Sequence, residues 1–505
     1  MNQLVVRGRV LPMAAGQGAF PGAVWLEDGL VAAVTRGADP GPPGFTTAPV
    51  VDVGDSLVLP GLIDLHNHLA YDTLPLWTVP GRTTPFAHHD SWPRAANYAP
   101  EITWPASALV TACPEELLAR VEVGALVGGT TTVQGSPPKN RPLDGWLVRN
   151  AEDETFGIPG GASFVFASVL QLDAQTLASR ATAMAQGSTF VYHCAEGAPG
   201  SLVRREFTDA KAAGCLRPGF VAVHANAIGA ADFAGWADPG AIVWSPFSNL
   251  WLYGETTDVP AARAAGIGIC LGADWAPSGT RHVLGELKVA RVVSDDRGWG
   301  LTDEDLVAMV TSTPGDVLAR SWPRAVGRLV EGALGDVLVL RADPGTDPFT
   351  AVVDATERDV ELVVIDGRPR YGLADRMRAA DADPVTPIEV AGQDRLLCLV
   401  RPDEPGTGWE WADVLARLEA VRADPAGEIA AADQASAGPG GFPPLRLRLD
   451  MPTGEGPTAG LPEDLSHVVV PAIVPLVHDD AWLDAVAAGG FHGGLLTRLD
   501  HWYRP

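Results

Sequence analysis

Val58-Leu59-Pro60-Gly61-Leu62-Ile63-Asp64-Leu65-His66-Asn67-His68 is an apolar run of strand character that ends in two histidines two residues apart. On a β-strand, residues i and i+2 point to the same side. Both imidazoles then face one point in space, the geometry a divalent metal needs, and neutral imidazole is its commonest protein ligand. His-x-His pairs also arise by chance. Here the pair sits at the carboxyl end of a strand, where the active sites of β/α barrels lie.

Working outward, residues 56–320 alternate apolar strands with helical stretches, the pattern of parallel β/α architecture. The candidate strands are Leu57–Leu65, Thr130–Gln134, Gly145–Arg149, Ser163–Leu170, Thr189–His193, Phe220–His224, Ala241–Ser245 and Ile267–Leu271. Glu115–Val127 and Ala174–Gln186 are helical stretches between them. Eight strands over this length predict a (β/α)8 TIM-like barrel of α/β class.

Polar residues gather at the predicted strand ends. His193 ends the fifth strand, His224 the sixth, and Asp274 follows the eighth. In a barrel all these ends surround one mouth, so His66, His68, His193, His224 and Asp274 are expected to converge. Each alone has an ordinary reading: a hydrogen-bonded structural histidine, or a helix N-cap for Asp274. Together the ordinary readings lose ground, because four of the eleven histidines end three strands.

The flanks differ in texture. The first 55 residues read as short strands, with Glu27-Asp28-Gly29 a hairpin signal between apolar runs. Similar strands return at Asp336–Leu340 and Val360–Gly367. Residues 1–55 and 321–372 are therefore expected to form one composite β-sandwich domain flanking the catalytic barrel of 56–320. The extension 373–505 contains an amphipathic helix at Trp409–Arg422, a linker at Ala430–Pro444 and possible strands at Pro444–Leu449 and Val468–Val474, the second interrupted by Pro471. It carries no chemical motif. A binding module, a cover for the barrel and a homodimerisation element are its open readings.

Composition narrows the partners. A net charge of −26 argues against nucleic acid or an anionic membrane surface. No apolar stretch approaches the ~18 residues of a membrane span, and the N-terminus lacks the core of a signal peptide. The five cysteines are scattered and odd in number, which fits a reducing cytoplasm better than a disulfide framework.

Six motifs stand in order: PGLIDLHNH at 60–68, GGTTTV at 128–133, HCAE at 193–196, VHAN at 223–226, SPFSNL at 245–250 and LGAD at 271–274. With these the chain resembles the amidohydrolase superfamily, in its branch of metal-dependent aminohydrolases and chlorohydrolases that contains cytosine-, guanine- and adenosine-type deaminases. The resemblance covers residues 1–372. It implies that His66, His68, His193 and Asp274 ligate a metal, and that Glu196 and His224 contact substrate and move protons. Many relatives hold two metals bridged by a carboxylated lysine on the fourth strand. The expected fourth strand here, Ser163–Leu170, has no lysine, so one divalent ion is expected: Zn²⁺, with Fe²⁺ the alternative.

Such an ion makes hydroxide available near neutral pH. Asp274 can take the nucleophile's proton, Glu196 can protonate a leaving nitrogen and His224 can polarise the attacked group. That is hydrolysis of a C–N bond, a deamination or an amide-type opening, catalysed by Glu196, His224 and Asp274. Hydrolysis of a carbon–halogen or ester bond is the alternative, and a non-catalytic assembly protein the remote one. The substrate is expected to be a small, cyclic or aromatic molecule. The long loop 69–106 and the stretches after the seventh and eighth strands suggest Trp77, Trp92, Asn249, Trp251 and Trp275 as its contacts.

Overall fold

Leu57–Leu65, expected as one strand, is two. Val50–Pro60 belongs to one sheet, and at Gly61 the chain crosses into another, where Leu62–Asp64 pairs in parallel with Thr130–Val133. A Cβ on Gly61 would lie 2.2 Å from Oγ1 and Cγ2 of Thr131, so the crossing needs glycine. The computed structural model describes residues 2–137, 147–152, 165–168, 171–236, 238–382, 384–400, 409–434, 445–449 and 460–504.

The chain begins with β1 (Gln3–Val10), β2 (Phe20–Glu27), β3 (Leu30–Arg36) and β4 (Val50–Pro60). Asp28 and Gly29 take φ of 47° and 81°, as a tight two-residue hairpin demands. Two groups of parallel strands follow. β5 (Leu62–Asp64), β6 (Thr130–Val133) and β7 (Arg149–Asn150) form one. β8 (Val165–Ser168), β9 (Thr189–Cys194), β10 (Phe220–His224), β11 (Ala241–Trp244) and β12 (Gly268–Leu271) form the other. A parallel bridge between Asn67 and Asp274 ties the ends of β5 and β12. Of the expected strand 145–149, Leu147 and Val148 form a bend and only Arg149 pairs, while residues 145–146, 163–164 and 169–170 lie outside the described residues.

β13 (Val337–Leu340), β14 (Val360–Ile365), β15 (Arg368–Leu373), β16 (Thr386–Val390) and β17 (Gln393–Leu397) return to the first sheet. Its order is β16-β17-β15-β14-β13-β4-β1-β2-β3. The strands expected in the flanking domain lie in one hydrogen-bonded sheet of nine strands. Along the chain its strands run to Pro60, past residue 55, and to Leu397, past residue 372. The cause of the second is legible afterwards. Thr386, Ile388 and Val390 are buried while Pro387 and Glu389 are exposed, a period-2 strand pattern closed by an Ala391-Gly392 turn with positive φ at both residues.

Alternation along the parallel strands builds two cores. Val191, Val221, Val223, Val243 and Cys270 pack with Ile63 and Leu65 in one. Phe190, Tyr192, Phe220, Ala222, Ile242 and Trp244 pack in another with residues of the flanking helices, among them Leu117, Leu177 and Phe207. This fixes the side on which His193 emerges, because it shares the parity of Val191.

The extension runs over the loops at the carboxyl ends of these strands. Val468–Val474 forms no strand, Pro471 having no N–H to pair. Instead the Val474 N–H donates to the Thr73 carbonyl (3.1 Å), the Phe491 N–H to that of Trp251 (3.2 Å), and the Arg281 N–H to His478 Nε2 (3.0 Å). Trp411–Ala423 is the expected helix, and residues 435–444 of the expected linker fall outside the described residues. No described helix is long and apolar enough to cross a membrane.

Candidate metal centre and active site

The backbone brings His66, His68 and Asp274 together. β5 ends at Asp64, so the two histidines lie just beyond the strand that was expected to present them. The Asn67–Asp274 bridge keeps the chain extended there. The Asp274 N–H donates to the His66 carbonyl (3.0 Å), and the His68 N–H to that of Asp274 (2.6 Å). Gly272 permits this approach, since a Cβ on it would lie 2.7 Å from the His66 oxygen. Asp64 braces the seam, accepting from Asn67 Nδ2 (3.0 Å) and from the N–H groups of Ala273 (3.2 Å) and His66 (3.4 Å). Burial pushes its carboxyl up to about 7 against these donors.

His193 and His224 reach the same place from neighbouring strands. Val223 pairs with His193 and His224 with Cys194, so simple alternation would turn His224 away from His193. A left-handed backbone at His224 (φ 63°) breaks the alternation. The ring centres then stand 4.5 Å apart for His66–His193, 4.8 Å for His66–His68, 5.3 Å for His68–His193, 5.4 Å for His66–His224 and 5.5 Å for His193–His224. Asp274 and Ala195 also have positive φ, at 66° and 59°. Strained backbone of this kind persists where the surrounding structure over-determines it, often at functional sites.

In three of the rings the second nitrogen tells what the first is for. His66 Nδ1 lies 3.3 Å from Gln134 Oε1, His193 Nδ1 3.3 Å from the Ser168 carbonyl, and His224 Nδ1 3.0 Å from Asn249 Oδ1. Each partner is an acceptor, so each Nδ1 carries the proton and donates it. Each Nε2 then presents a lone pair. This outward donation is how metal-ligating histidines are held. Asp274 Oδ1 lies 3.1 Å from His66 Nε2 and 3.6 Å from His68 Nε2. Tetrahedral ligands at zinc distances stand about 3.4 Å apart. Burial would raise Asp274; a proton on His66 Nε2, 3.1 Å from Oδ1, would lower it, and a divalent ion would take that proton's place. Burial lowers His66, with Asp274 opposing, and lowers His193 strongly, aided by the other rings. Neutral imidazoles and an ionised carboxylate are the protonation states a divalent cation requires. Ligand atoms of His66, His68 and Asp274 lie within 4.8 Å of one another, as do those of His66, His193 and His224, so these residues suit a divalent ion.

Glu196 follows on the turn after β9. The Ala195 N–H donates to Glu206 Oε2 (2.8 Å), and the Glu196 carbonyl accepts from the His89 N–H (3.1 Å). Its carboxylate is buried, with Oε2 3.8 Å from His224 Nε2 and Oε1 2.5 Å from the Tyr253 hydroxyl. Trp275 stands edge-on to His68 at 6.4 Å, with Trp92 next to it at 5.4 Å.

Three of the expected substrate contacts have protein partners of their own. Asn249 is consumed in support: Oδ1 accepts from His224, and Nδ2 donates to Thr256 and Thr257 Oγ1, each at 3.3 Å. Trp251 donates its indole N–H to the Trp77 carbonyl (2.9 Å) and stacks on Phe247 and His492. Trp77 stacks on Phe86 and meets Tyr98 edge-on. Both belong to an outer aromatic layer, because the extension packs there. Gln134, Asp64 and Tyr253 were not singled out for these roles. Gln134 carried a signal, as a polar residue closing a predicted strand; the other two depend on tertiary partners.

A second buried trio, His282, Glu357 and His478, also offers three ligand-type groups. Backbone amides decide against an ion there. The N–H of Arg281 donates to His478 Nε2 (3.0 Å) and that of Gly285 to His282 Nδ1 (3.4 Å). The opposite nitrogens therefore carry protons, and both donate to Glu357 Oε1, at 2.6 and 3.1 Å. The trio pins the extension to the strand-end loops. Burial pushes His478 down to about 4, while Glu357, raised by burial, is held well below its usual range by the two histidines. His478 stays neutral in the folded chain while an unfolded one charges below ~6.5, so its contribution is complete above ~6.5 and lost as pH falls towards 4. Glu357 acts in the same direction. Amide protection factors in residues 474–503, taken against the unfolded-chain rate at each pH, should fall between pH 6.5 and 4, and unchanged protection would refute the assignment.

No family model matches this sequence. A 5-methylthioadenosine/S-adenosylhomocysteine deaminase from Symbiobacterium thermophilum is 24% identical over 415 residues, covering 74% of this chain and 94% of its own. Among solved structures, a zinc-bound adenosine deaminase from Xanthomonas campestris superposes with a TM-score of 0.58 at 15% identity, over 84% of this chain and 98% of that one. A variant atrazine chlorohydrolase from Arthrobacter aurescens, complexed with zinc and atraton, gives 0.57 at 16% identity over 83% and 99%. The mixed α/β fold with parallel sheets is shared with these proteins.

Proposed function

We propose that the chain is a metal-dependent aminohydrolase of the amidohydrolase type, which cleaves a C–N bond in a small cyclic substrate. One observation carries this: ligand atoms of His66, His68 and Asp274 lie within 4.8 Å of one another, as do those of His66, His193 and His224, at the carboxyl ends of parallel strands, with Glu196 beside His224 in the same buried place. The deaminases and chlorohydrolase among the similar proteins support the same class. In this reading the eight parallel strands close into a (β/α)8 barrel, the nine-stranded sheet is its structural flank, and one zinc ion is held. Five free buried thiols favour a cytoplasmic enzyme.

A bound divalent ion lowers the pKa of water from about 15.7 towards ~7. Asp274, ionised and buried, accepts the proton released by the nucleophile. Glu196 carries a proton to the departing nitrogen, as a general acid within reach of the same space. His224, its Nδ1–H committed to Asn249, offers Nε2 to orient the attacked group. Trp92 and Trp275 wall the approach beside His68, and flat rings stack well on such faces.

The test is a panel of amino-substituted purines, pyrimidines and triazines, with chloro-triazines beside them, given to the metal-loaded protein. Ammonia release is the expected result. Halide release alone would move the reaction to the carbon–halogen alternative, for which the chlorohydrolase likeness is the specific ground. Two tightly bound metals per chain would refute the single-ion site.

A further inference from the structure

The helix Pro246–Tyr253 follows β11 and presents two polar residues four positions apart, Asn249 and Tyr253. Residues i and i+4 share a helix face. Asn249 holds His224, and Tyr253 touches Glu196. We propose that Tyr253 is a positioning residue for Glu196, which fixes its carboxylate so that Oε2 is turned towards His224 and the reacting centre. This rests on the aminohydrolase reading above.

The argument is a count of donors. The Tyr253 hydroxyl has one hydrogen and accepts as well. The indole of Trp92, which can only donate, gives its N–H to the Tyr253 oxygen at 3.0 Å. The hydroxyl hydrogen must therefore point elsewhere, and Glu196 Oε1 lies 2.5 Å away. Oε1 thereby accepts from Tyr253, and Oε2 is the oxygen that faces His224 Nε2. Tyr253, Trp92 and Glu196 are all buried, at 2, 5 and 5% exposure, so water does not compete for these bonds. Trp92 comes from the long loop after β5 and Tyr253 from the helix after β11. Seating of that loop is thus coupled to the orientation of the proton-transfer group. The αL turn at Gly254 (φ 66°), whose N–H donates to Leu250, ends the helix immediately after Tyr253 and sets its place.

The experiment uses the metal-loaded full chain and whichever panel substrate releases ammonia. Tyr253→Phe removes the hydroxyl and keeps the ring. We expect kcat to fall about ten- to a hundredfold, the cost of a catalytic group displaced by about 1 Å, with KM within about threefold and metal content unchanged. In a Glu196→Gln background the same substitution should cost less than about twofold, because the residue acts through Glu196. Trp92→Phe, which leaves the Tyr253–Glu196 bond in place, should cost about three- to tenfold and serves if Tyr253→Phe does not fold. Parent-like kcat in Tyr253→Phe, or an undiminished cost in the Glu196→Gln background, overturns the proposal. If Glu196→Gln itself is parent-like, the aminohydrolase reading fails instead, so the two failures are distinguishable.

Discussion

Replacing Asp274 by Asn should abolish turnover, by more than about 10⁴-fold, the upper end of what one acid–base group supplies. The loss is larger because one side chain has two duties. Its Oδ1 lies 3.1 and 3.6 Å from the inward nitrogens of His66 and His68, where, in the proposed site, it would join the imidazoles as a ligand. It is also the carboxylate placed to take the nucleophile's proton. Asparagine is nearly isosteric, so the left-handed backbone at φ 66° and the bridge to Asn67 survive. The variant should therefore fold. A second readout separates ligation from catalysis. An ion that binds only the folded chain stabilises it by about 4 kcal/mol at a thousand times its Kd. The parent should show that rise in thermal stability on titration with Zn²⁺, and Asp274→Asn should lose most of it. An unchanged zinc-induced shift would remove Asp274 from the ligand set.

Replacing Glu196 by Gln should lower ammonia release by about 10²–10⁴-fold while zinc binding stays at the parent level. Glu196 makes no approach to Asp274 among the described contacts, and its neighbours are the His224 ring and the Tyr253 hydroxyl. The amide keeps an oxygen for Tyr253 and so preserves the packing of the turn, but it has no exchangeable carboxyl proton. Loss of activity with metal retained is the signature of a proton carrier. Activity within about tenfold of the parent would refute its role. The two substitutions differ in what the metal does, so they separate holding the ion from using it.

The site was legible in the sequence to different depths. His193 needed only strand parity, because it lies two residues past Val191 on the same face. His66 and His68 were expected from strand alternation, yet they lie beyond the strand and owe their common direction to the Asn67–Asp274 bridge. His224 defeats alternation altogether. By period 2 it faces the wrong side, and only the left-handed turn at that residue redirects it. Asn249 was read as a substrate contact, since a polar residue past a strand end gives no hint of which neighbour will claim it.

What the sequence by itself determined is local. Apolar runs of strand length, glycines where chains touch and polar residues at strand ends state which segments are strands and which end carries chemistry. These signals depend on a residue and its near neighbours, and a linear pattern can hold them. The tertiary structure alone decided the rest: that the first sheet runs to Leu397, that the extension caps the loops through His478, and that Tyr253 meets Glu196 across 57 positions of sequence. Such contacts are set by the shape of the assembled chain. Hydrogen bonds are directional over about 3 Å, and no sequence spacing encodes that distance between segments that meet only after folding.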